Sequence, residues 1–142
     1  MISKTDQIEA LLHHKAYDVA TATLGISHMC KSPYSKVFNV TRDDIDNYVA
    51  EHGLPGEAFC TVDGPHMCEG IHLVKRDKTW RLFWLERGIA SGEETFQSEI
   101  EAKHRLLDWI LNTAGTGIDF THWDRTSPRG EALPHHRMYG SQ

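Results

Sequence analysis

The tripeptide His-Met-Cys occurs twice, at His28-Met29-Cys30 and His66-Met67-Cys68. Imidazole and thiolate are ligands that zinc and copper(I) prefer, so His28, Cys30, His66 and Cys68 could form a tetrahedral site if the two segments met. The spacing argues against it. Zinc knuckles place two to four residues between paired ligands, whereas one residue intervenes here and no third knuckle follows. Free thiols and ordinary histidines are the plainer reading, and no metal or other cofactor is expected.

The remaining reactive groups are scattered. A nucleophilic cysteine needs a histidine or a helix start to lower its pKa, and Cys60 falls in a β-prone run where it would pack as a small apolar group. Ten histidines invite general acid–base chemistry. His13 and His14 flank a helical pattern, His104 lies inside another, and His135-His136 fall in a loose C-terminal stretch. His72 and His122, beside core-like aromatic residues, are the strongest candidates among them. Asp43, Asp44, Asp46 and Glu51 could supply paired carboxylates, but they begin where a helix dipole favours negative charge. The same acids suit the docking of a basic protein, which needs accessible carboxylates and no special pKa. Asp43, Asp44, Asp46, Tyr48 and Glu51 are therefore the first candidates for partner binding, and Glu86 and Arg87 the second. Phosphate-binding glycine loops and dinucleotide fingerprints are absent from the sequence. The chain is expected to act without a catalytic centre.

Composition narrows the setting for this chemistry. The 142 residues suit one domain, with 39% apolar and 25% charged residues as in ordinary globular proteins. Fifteen Lys and Arg against 20 Asp and Glu give a net charge of −5, which lacks the electrostatic footprint of a nucleic-acid binder. Three irregularly spaced cysteines, no signal-like start and no membrane-length apolar window lead us to expect a cytoplasmic protein.

An α+β fold is expected to position these groups. Ile8, Leu11, Leu12, Ala16, Val19, Ala20 and Leu24 recur at helical spacing from Thr5 to Leu24, with a break near Tyr17 and a stop at Gly25. Val37–Val40 is short and β-prone. Thr41 then caps a helix from about Arg42, which His52-Gly53-Leu54-Pro55 terminates. Strands are predicted at 57–62, 69–75 and 79–86, as an antiparallel meander with a fourth short strand at 94–96. Trp80, Leu82 and Trp84 alternate with Phe83 and Leu85, so the 79–86 strand has two apolar faces and should be central. Ser98 and Glu101 form a capping-box pattern ahead of a helix that reaches Asn112 and covers the sheet. One domain over residues 1–125 and a flexible tail over 126–142 complete the expectation.

The segment Thr79-Trp80-Arg81-Leu82-Phe83-Trp84-Leu85-Glu86-Arg87-Gly88, followed by Phe96-Gln97-Ser98-Glu99-Ile100-Glu101-Ala102, resembles immunity proteins of bacterial polymorphic toxin systems. Those families carry a Trp-rich strand ending in Glu-Arg-Gly, then a Phe before a Ser-Glu-x-x-Ala helix start. The likeness spans residues 69 to 112, about a third of the chain. It implies a cytoplasmic inhibitor of the contact-dependent or type VI kind. Such an inhibitor binds the C-terminal domain of its cognate toxin and occludes the active site.

Overall fold

A computed structural model describes residues 2–30, 32–64 and 68–120. The expected C-terminal tail, His122 and His66 lie outside these residues. The fold is α+β. Helices α1 (Lys4–Leu12), α2 (Ala16–Leu24) and α3 (Arg42–His52) precede strands β1 (Gly70–Arg76), β2 (Thr79–Glu86) and β3 (Ile89–Phe96), and α4 (Glu99–Thr113) follows. The sheet is antiparallel with order β1-β2-β3. Strand β2 is thus central, as its two apolar faces require.

The N-terminal helical pattern divides in two. Ser3 caps α1 by accepting from Asp6 N at 3.1 Å. The break comes at His13–Lys15, earlier than Tyr17, because His14 takes a left-handed backbone (φ 58°) and turns the chain before α2 begins. Val37, Phe38 and Val40 are buried, yet the segment is not a strand. The Oε1 of buried Gln7 accepts from Asn39 N and Val40 N at 2.8 and 3.2 Å, so a side chain supplies the bonds that a neighbouring strand would otherwise give.

Two strand expectations need correction. Residues 57–62 form a 3-10 turn at Gly56–Ala58 and then a single parallel bridge, in which Cys60 pairs backbone to backbone around His72. The chain then leaves the sheet edge, with Asp63 held by Arg76 at 2.9 Å. Conversely, β3 runs the full length from Ile89 rather than from Glu94. Arg87 and Gly88 both adopt left-handed φ (51° and 77°), the requirement of a tight two-residue hairpin, and this extends the pairing back to Glu86–Ile89. The polar residues of β3 are mostly exposed, which gives the strand a loop-like composition.

Strand pairing places Ile71, Leu73, Trp80, Leu82, Trp84, Glu94 and Phe96 on one sheet face. Helix α4 lies there. Leu106, Leu107 and Ile110 join the same buried cluster as Leu73 and Leu82, together with α1 and α3 residues such as Leu11 and Ile45. Ser98 starts α4 by accepting from Ile100 N and Glu101 N. A bulge opposite Phe83 adds one residue to β3, where Gly92 at φ 65° lies beside the Trp109 ring of α4. The opposite sheet face carries a smaller cluster of Val74, Phe83 and Leu85, with His72 stacked on Phe83.

Candidate functional site

The predicted acidic patch on α3 turns partly inward. Asp43 and Glu51 are exposed. Asp44 forms a capping box with Thr41, and the Thr41 amide is the first cause that holds its carboxyl below the usual range. Tyr48 is half-buried, with its ring tilted against His52 at 4.4 Å between centroids. Asp46 is the clear correction. It is fully buried and accepts from Arg42 Nε at 3.0 Å, so it cannot serve as an accessible docking carboxylate. Its spacing from Arg42 is one helical turn, the separation at which side chains on one helix meet.

Arg42 is the centre of a buried clamp that composition alone conceals. It also hydrogen-bonds Asp108 on α4, Phe120 O and His104 O, which joins α3, α4 and the segment after α4. Burial opposes the guanidinium charge, but Asp108 and Asp46 outweigh it and raise the Arg42 pKa. Arg105 extends the network by pairing with Glu94 on β3 and Asp108 on its own helix. This arrangement fastens elements together and is closed to solvent at Arg42, Asp46 and Asp108.

An open region lies by the C-terminal end of α4. A cleft of about 540 Å³ lies between the α1–α2 corner, the 57–62 segment, the start of β1 and the end of α4. Phe59, Ile71, Val62 and Trp84 supply apolar walls, while Glu57, Glu69 and His14 supply the charged or titratable ones. Val62 is 59% exposed and Trp84 39%, although both are large apolar groups. Ile89, 70% exposed, lies on the same sheet face because it pairs with Glu86.

Local bonds fix the cleft walls. His13 hydrogen-bonds Glu57, and the Glu57 backbone amide followed by His13 holds that carboxyl below its ordinary pKa. Glu69 Oε1 accepts from Arg87 N at 3.0 Å, which ties the mouth to the β2–β3 hairpin. Fully buried His72 donates from Nε2 to Cys68 O, anchoring the strand entry beside the cleft. Thus Glu86 and Arg87, exposed at the hairpin, border the cleft through Glu69, and sequence reasoning placed them second to α3. Glu57, Glu69 and Val62 were missed because their convergence depends on tertiary packing across distant segments.

Among the described residues, the cysteine and histidine candidates do not assemble into a recognisable centre. Cys60 and Cys68 both line the cleft, whereas His28 lies near Tyr17 and Cys30 is exposed on the loop after α2. Among the described residues, no group of three or more His, Cys, Asp or Glu side chains is placed to hold a metal ion. Among the same residues, no helix is long and apolar enough to cross a membrane. Comparisons with protein-family models, curated proteins and solved structures return no match.

Proposed function

We propose that this chain is an immunity protein: it binds the C-terminal domain of a cognate secreted bacterial toxin and neutralises it by occlusion in the cytoplasm. The observation that carries the reading is the gathering of exposed Trp84, Val62 and Ile89 beside Glu57, Glu69 and Glu86. Trp84 and Glu86 belong to the very segment that resembles immunity proteins. Aromatic groups in a concave site are efficient anchors for a protein partner, and surrounding carboxylates favour a basic one.

The mechanism is binding, with no cofactor and no bond-making step. The docking surface comprises the cleft, Glu86 and Arg87, with Asp43, Asp44, Tyr48 and Glu51 of α3 as a second patch. The net charge of −5 accelerates capture of a basic domain through long-range attraction. Co-expression with the C-terminal domain of the toxin encoded beside it provides the test. Rescue of growth together with a stable co-purifying complex supports the proposal; continued toxicity with no complex overturns it.

A further inference from the structure

We infer that the cleft captures a single lysine or arginine side chain from the protein partner. The inference rests on the protein-binding reading above and names what that site receives. The side chain's aliphatic stem would pack on Trp84 and Phe59, and its cation would lie between Glu57 and Glu69.

Three features converge on a cationic, amphipathic occupant. First, an apolar wall and a carboxylate rim share one open cavity, a combination that matches a long side chain with a methylene stem and a charged head. Second, Trp84 offers an indole surface at that wall, and aromatic surfaces attract ammonium and guanidinium groups through the ring quadrupole. Third, α4 ends at Thr113, which lines the cleft, and its last turn carries no basic residue. The aligned peptide dipoles bring about half a negative charge to that helix end. Glu57, which also bonds His13, Glu69, which also accepts from the Arg87 amide, and the end of α4 act with the same sign, from three separate parts of the chain.

The test uses the full chain and the cognate toxin domain, with affinity measured by calorimetry at low and high salt. Trp84→Ala should weaken binding by about 30-fold or more, as expected for loss of an aromatic anchor. The paired substitution Glu57→Gln with Glu69→Gln should weaken it by about tenfold at low salt and flatten the salt dependence. Glu99→Gln with Glu101→Gln removes the same charge at the far end of α4 and should leave affinity within about twofold, because screening confines the effect of distant charges. Denaturation midpoints identify any variant whose fold has been disturbed, and the exposed glutamate pair keeps the test decisive if Trp84→Ala unfolds. If the wild-type chain binds and both cleft variants bind equally well, the inference is overturned and the immunity reading stands. If the wild-type chain does not bind, the immunity reading falls and takes the inference with it.

Discussion

The fold holds two groups of carboxylates, one around Arg42 and one at the cleft, and burial gives them opposite roles. Near Arg42, Asp46 and Asp108 are withdrawn from water and held by Arg42, with Arg105 also on Asp108, so their charges are compensated within the fold. At the cleft, Glu57 and Glu69 are exposed near a partly accessible tryptophan, and though they bond His13 and the Arg87 amide they stay in contact with solvent. An acidic residue count therefore overstates the surface available to a partner. Which acids are outward-facing is decided by where the few buried cations sit.

This contrast predicts that the largest stability loss will come from the clamp. Arg42→Ala leaves buried Asp46 without its guanidinium and Asp108 with Arg105 alone, and urea denaturation should show a loss of about 3–5 kcal/mol. A loss below 1 kcal/mol would mean that the clamp relaxes and admits water. Gln7→Ala tests the other buried polar junction. It strands the Asn39 and Val40 amides, and should cost about 1–3 kcal/mol in the same assay.

Smaller effects should follow towards the surface. Thr41→Ala removes the start of α3 and should cost about 1 kcal/mol. Asp44 adds a pH signature because its folded pKa lies below that of an unperturbed aspartate. Its contribution is fully present above that value and is lost as pH falls through the lower folded pKa. Wild-type stability should consequently fall more steeply than that of Asp44→Asn in acid titrations below about pH 4. The exposed pair Glu57→Gln with Glu69→Gln weakens the His13 and Arg87 contacts and should lower the denaturation midpoint only slightly, in contrast to its larger effect on binding.

Elements with strong local grammar were legible in the sequence. Thr41 with Asp44, the Gly53 stop, Ser98 and the alternating β2 residues place two helices and the central strand from local information. The misread pieces depend on tertiary geometry. The apolar Val37–Val40 run has strand-like residues, yet its backbone bonds go to Gln7 more than thirty positions away. Strand β3 has loop-like residues, yet a hairpin with two left-handed positions forces it to pair. The candidate cleft followed the same rule: Glu86 and Arg87 were the second-choice candidates from local residues, while Glu57 and Glu69 came together only when the fold joined distant segments.

The most direct test is a paired reading of stability and toxin-domain affinity for Glu57→Gln with Glu69→Gln. A denaturation midpoint close to that of the wild type, with affinity reduced about tenfold at low salt, is the predicted result. Unchanged affinity, in a complex that wild-type protein forms readily, would contradict a cleft whose carboxylates face a basic partner.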